Sequence, residues 1–170
     1  MNKNAMSAKL KISKVLRSLL VVSLVSTSLV AAPHLSEART FPARGGSAAF
    51  VSEAACWRPF GPAMTNTCDA ARDWYLPLTI DPVNSQFPPG FMYNSTVTVR
   101  AQRATPNSNV SCLAQGYDVS RNWVFSSGWT FLLTFGAPAS INLSLLVPDE
   151  GSGMVDCNVD PNGQVIEASW

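Results

Sequence analysis

The sequence predicts an all-β fold: a two-sheet antiparallel sandwich of eight or nine short strands. Three observations carry this. Apolar and polar residues alternate with a period of two in several runs, turn signals recur about every dozen positions, and no stretch shows the 3.6-residue period of an amphipathic helix. Immunoglobulin-like and jelly-roll orders both fit that spacing.

The elements follow in chain order. Residues 39–47, RTFPARGGS, read as a flexible lead-in, and 48–170 as a single sandwich domain. AAFVSEAAC (48–56) has the composition of a first strand. Residues 57–73 carry Pro59, Gly61 and Pro62 and read as a loop, with one helical turn at Asp69–Asp73. WYLPLTI (74–80) is a strand whose Pro77 cannot donate to a ladder, which places it at a sheet edge. A loop over 81–90 leads to 93–103, where Val97, Val99 and Ala101 face one way and Thr98, Arg100 and Gln102 the other. Strands are expected over 110–118 and 122–127. In 128–136, Trp129, Phe131, Leu133 and Phe135 share one face, as core residues would. In 139–148, Ile141, Leu143, Leu145 and Val147 do the same. The last two strands, 153–159 and 164–170, are joined by Asp160-Pro161-Asn162-Gly163, a strong hairpin-turn signal.

The first 38 residues read as a cleaved signal peptide. Lys3, Lys9, Lys11, Lys14 and Arg17 precede an apolar run over 18–32, and Ser36 and Ala38 suit the −3 and −1 positions of a cut after Ala38. A cut near Ala31 is the alternative. The run is 15 residues long and broken by Ser and Thr, against the ~20 that a membrane span needs, so no membrane span is expected after cleavage. The expected destination is the periplasm or the cell exterior.

Removal of residues 1–38 leaves 132 residues with seven Arg, ten acidic side chains, no Lys and no His. The formal charge of the whole chain is +1 and that of the mature part −3, which gives no footprint for nucleic acid. Without His there is no Ser-His-Asp triad, Cys-His dyad or His-ligated zinc. Without Lys there is no Schiff base and no phosphate-loop lysine. No catalytic residue is assigned and no cofactor is expected.

Four cysteines, Cys56, Cys68, Cys112 and Cys157, make two disulfides in an exported chain. Of the three pairings, Cys56–Cys68 and Cys112–Cys157 are favoured. They close a short Pro-rich loop and a long one, contributing ~3 and ~4 kcal/mol on a loop-entropy model. The absence of any Cys-x-x-Cys argues against a redox or metal role.

The order of features also bears a likeness. An early Cys is followed by Tyr75-Leu76-Pro77-Leu78, Val97-Thr98-Val99, Val110-Ser111-Cys112-Leu113 and Leu132-Leu133-Thr134-Phe135. Cys157 then precedes a Pro/Asn/Gly turn and a last strand. This resembles a loose group of small exported bacterial four-cysteine β-sandwich proteins of uncharacterised function. In that group the second Cys sits within the aromatic-Pro-Leu strand; here Cys68 lies earlier and Leu76 holds that place. The resemblance implies fold and export and supplies no activity.

Three constellations are candidates for chemistry. Asp156, Asn158, Asp160 and Asn162 alternate, with Gly163 next and Glu167 beyond, as oxygen ligands do in a calcium loop. Neither register of that loop is complete, and a turn between strands explains the same residues. Trp57, Trp74 and Trp123 have polar, Pro-rich or Asp neighbours and are candidate platforms for stacking sugar rings; Trp129, in an apolar alternation, is assigned to the core. Asp149-Glu150, Glu53, Asp118 and Glu167 are the acids available to a carboxylate-based glycoside hydrolase. The expected role is a secreted non-catalytic surface-binding or interaction module, with extracellular polysaccharide as the first ligand class. A small glycoside hydrolase and a structural envelope or matrix component, docking on an envelope protein, are the alternatives.

Overall fold

A computed structural model describes residues 39–80 and 92–170. The leader and the loop over 81–90 fall outside these residues. Twelve strands are found among the described residues: β1 (Thr40–Pro42), β2 (Ser47–Ala48), β3 (Trp57–Phe60), β4 (Ala63–Asn66), β5 (Arg72–Leu78), β6 (Met92–Gln102), β7 (Val110–Tyr117), β8 (Trp123–Ser126), β9 (Thr130–Phe131), β10 (Ala139–Pro148), β11 (Ser152–Val159) and β12 (Gln164–Ser169). They form two antiparallel six-stranded sheets. The first runs β10-β6-β12-β4-β3, with β1 also on β12. The second runs β2-β5-β11-β7-β8, with β9 also on β7.

The long strands are those that the period-two pattern marks. Their inward residues form the core: Trp74, Leu76 and Leu78 of β5, Val97, Val99 and Ala101 of β6, Ile141, Leu143, Leu145 and Val147 of β10, and Val155, Cys157 and Val159 of β11. Each of these residues removes apolar surface from water between the two sheets. The excess over eight or nine strands comes from pieces of two to four residues, too short to show a period. Four expectations change with them. Residues 39–47 are built into the sandwich: β1 pairs with β12, β2 pairs with β5, and Ala43 is buried. Residues 48–56 are mainly a 3-10 turn, Val51–Cys56, because Phe50 and Val51 find no inward face. The expected loop over 57–73 holds the β3–β4 hairpin, turning at Gly61 with φ +56°. The Asp69–Asp73 helical turn is absent; Arg72 and Asp73 begin β5.

The Asp160–Gly163 turn is also not a hairpin. Gly163 N–H donates to Asp160 O, and Asn162 takes φ +62°, as a tight turn with Pro at its second position requires. Yet β11 belongs to the second sheet and β12 to the first, so the turn arches across the sandwich. The long strands β5, β6, β7, β10, β11 and β12 alternate between sheets in this way. Pro77 lies beyond the reach of β2, which pairs only with Trp74 and Tyr75, so its missing N–H faces no partner strand.

Two staples and a buried amide hold the ends. The disulfides are Cys56–Cys68 and Cys112–Cys157. The second joins residues directly opposite each other on β7 and β11, inside the core. Such bonds suit an oxidising compartment. Asn66 is fully buried and satisfied: its amide N–H groups donate to Ala70 O and Val159 O, both at 2.8 Å, and its Oδ1 accepts from Cys68 N–H at 3.0 Å. Its backbone closes on Gly163 O and Asn162 N–H. One side chain thus ties the first disulfide loop to the inter-sheet arch.

Candidate functional site on the outer face of the second sheet

The outward residues of the second sheet follow from register. Cys157 and Trp74 point into the core, so their neighbours Asp156 and Tyr75, opposite each other on β11 and β5, point out. Asn158 and Asp73 form the next outward pair. On β7, the outward Tyr117 and Gln115 lie opposite Ser152 and Met154 of β11. Beyond them, Trp123 of β8 lies opposite Tyr117, and Phe131 of β9 opposite Ser111. Four aromatic rings, two carboxyls and two amides therefore share one open sheet face.

The polar groups are held in place. Asn158 Nδ2 donates to Asp73 Oδ1 at 2.6 Å, and the Tyr117 hydroxyl donates to Gln115 Oε1 at 2.7 Å. Asp156 is different. Its Oδ1 is covered and has no hydrogen-bond partner among the described residues. Burial, then the negative charge of Asp73, pushes its carboxyl up to about 7. Tyr75 is raised by burial and by the charges of Asp156 and Asp73, and Tyr117 by burial and Asp156. Asp156 thus lies within electrostatic reach of both phenols, with unused hydrogen-bonding capacity.

The residues singled out from sequence are distributed otherwise. Trp57 and Trp74 are 4% and 5% exposed, so they are core residues and no platform. Their rings pack 4.7 Å apart beside the first disulfide, and Trp74 Nε1 donates to Ala43 O. The Pro-rich surroundings of Trp57 suggest a loop only because β3 and β4 are too short to show alternation. Trp123 is 62% exposed on the outer face. Trp129, assigned to the core, is exposed, as are Phe131, Leu133 and Phe135; of that run Leu132 is the buried member. The alternation there is real and its polarity is reversed.

The calcium constellation is not assembled. Asp156 and Asn158 stand on the outer face of β11. Asp160 accepts from Asn109 N–H at the arch, and Asn162 occupies the turn itself. Glu167 lies in the other sheet, 4.0 Å from Arg100. No group of three or more His, Cys, Asp or Glu converges to hold a metal among the described residues. The physical reason is the arch, which sends β11 and β12 into different sheets. The other acids are dispersed too. Glu53 pairs with Arg72 at 3.6 Å. Asp118 accepts from Asn122 N–H and Nδ2, which hold its carboxyl below the usual range. Asp149 and Glu150 occupy the β10–β11 turn. The carboxyls that do share a face, Asp73 and Asp156, are ones that sequence reasoning passed over for this role. Period-two alternation on β5 and β11 is the signal that places them.

No protein-family model matches the chain, and no curated protein matches it. Among solved structures, it is similar to the enzymatically active domain of tailspike protein 4 of bacteriophage CBA120, at 13% identity and a TM-score of 0.37. That match covers 61% of this chain and 14% of the other. It is also similar to the isomalto-dextranase of Arthrobacter globiformis T6 complexed with panose, at 13% identity and a TM-score of 0.42. That match covers 78% of this chain and 23% of the other. The chain spans less than a quarter of either protein's length.

Proposed function

We propose that this protein is an exported, non-catalytic carbohydrate-binding sandwich that takes its ligand on the outer face of the second sheet. The observation that carries the reading is Asp156. Its carboxyl oxygen has no partner on a face where Tyr75, Tyr117, Trp123 and Phe131 offer rings and Asn158 and Gln115 offer amides. Sugars need both parts: apolar ring faces stack on aromatics, and hydroxyls exchange hydrogen bonds with carboxyl and amide groups. The test is electrophoresis of the oxidised protein in native gels cast with soluble polysaccharides. Retardation by a glycan that is lost in Tyr75→Ala and Trp123→Ala supports the reading. No retardation on any glycan overturns it.

A second reading, a carboxylate-based glycoside hydrolase, is favoured by the pair Asp73 and Asp156. One carboxyl that holds its proton near neutral pH beside one that is ionised is the division of labour such chemistry uses. Release of reducing ends from a retarding glycan, abolished by Asp73→Asn and by Asp156→Asn, would favour hydrolysis over binding.

A further inference from the structure

The outer edge of the second sheet carries a segment that the proposed sugar site does not explain. Gly128–Gly136 is bracketed by two glycines with φ +73° and +76°. Its inner edge is occupied. Thr130 and Phe131 pair with Cys112 and Ser111, and Leu132 N–H donates to Val110 O at 2.8 Å. The Arg103 guanidinium donates to Leu132 O and Leu133 O, both at 3.0 Å, and Gly136 N–H donates to Arg103 O. Arg103 and β7 thus hold the segment extended. With Leu132 N–H turned toward β7, alternation turns the N–H groups of Phe131 and Leu133 to the free side. Neither is given a partner among the described residues.

Exposed edges usually carry Lys, Pro or an inward charge that blocks further pairing. Residues 129–135 have none of these, and no charged residue occurs from Asn122 to Pro148. Leu133 is 86% exposed. The segment is also nearly symmetric about Leu132: Gly128 mirrors Gly136, Trp129 mirrors Phe135, Thr130 mirrors Thr134 and Phe131 mirrors Leu133. That symmetry is what a two-fold axis asks of a self-pairing strand.

We propose that this edge pairs antiparallel with the same edge of a second copy, with Leu132 at the two-fold. In that register Phe131 of one copy faces Leu133 of the other, and both have their N–H groups on the shared side, so they form a hydrogen-bonded pair. Trp129 faces Phe135 and Thr130 faces Thr134, pairings that stabilise antiparallel sheets. A lipid surface would cover the apolar side chains but leave the edge N–H groups unsatisfied, which favours a strand as the occupant. The chain's own symmetry and lack of charge favour a copy of itself. The outer faces stay open and lie on the same side of one continuous sheet.

The test is sedimentation equilibrium of the purified oxidised protein up to roughly 100 µM, a range that reaches small interfaces, together with amide exchange read at single residues. The expected result is a reversible dimer. Exchange at Phe131 and Leu133 should slow at least tenfold between dilute and concentrated samples, while exchange at Val97 in the core of β6 should not change with concentration. Leu133→Arg should give a monomer with an unchanged near-ultraviolet spectrum. A monomer at every concentration overturns the proposal. So does a dimer that leaves the exchange of Phe131 and Leu133 unchanged, or one that survives in a folded Leu133→Arg variant. The sugar reading stands or falls separately, because Leu133→Arg leaves Tyr75 and Asp156 untouched.

Discussion

Two side chains account for much of what is specific to this sandwich. Asn66 satisfies three buried backbone groups from two distant segments. Its replacement by Ala leaves all three unpaired and is expected to lower unfolding free energy by about 2–4 kcal/mol in urea denaturation. Asp156 acts through its proton. Its pKa stands near 7 when folded, against 3.8 ordinarily, so the folded state binds the proton more tightly. Stability therefore falls as pH rises from about 4 to 7 and stays lower above that. Asp156→Asn should flatten this slope. Melting curves should show the variant about 2–4 °C more stable than the parent at pH 8 and little changed at pH 4. A parent that gains stability between pH 4 and 7 from this position would contradict the assignment.

At the scale of elements, the edge segment depends on a single residue from the other sheet. Arg103→Met keeps an apolar stem and removes the donors to Ser108 O, Leu132 O and Leu133 O. It should cost about 1–3 kcal/mol, speed amide exchange at Leu132 and weaken self-association. The two disulfides should differ as their loops do. Replacing Cys112 and Cys157 by Ser opens a separation of 45 residues and should cost more than replacing Cys56 and Cys68, which span 12. Loop entropy gives ~4 against ~3 kcal/mol, measured as the shift in urea midpoint at constant slope. Period-two alternation made the long strands legible because each has one face in the core. It made β3, β4 and β9 illegible because two to four residues cannot display a period.

For the molecule as a whole, the aromatic residues separate into two populations that the sequence presents alike. Trp57 and Trp74 fill the sandwich beside a disulfide, while Trp123 stands in solvent on the outer face. Trp57→Ala and Trp74→Ala should each destabilise the fold by about 3–5 kcal/mol. Trp123→Ala should leave the melting temperature within about 2 °C and abolish retardation on a glycan gel. The reverse pattern would place ligand binding at the other end of the sandwich. Chelator should leave that retardation unchanged, because the oxygen ligands that alternate through 156–162 are divided between a strand face, an arch and a turn.

The sequence by itself determined the fold class, the long strands, their inward residues and the two cysteine pairs. These follow from local alternation, turn chemistry and the small number of ways to pair four cysteines. Tertiary structure alone decided three further matters. It decided that the Asp160–Gly163 turn crosses between sheets, because turn residues specify a reversal and not the sheet to which the chain returns. It decided that Trp129, Phe131, Leu133 and Phe135 face outward, because alternation fixes which residues share a side and not which side meets the core. It also decided that Asp73, Tyr75, Tyr117 and Asp156 meet on one face, since β5, β7 and β11 are neighbours through pairings as distant as 85 residues, between Asp73 and Asn158.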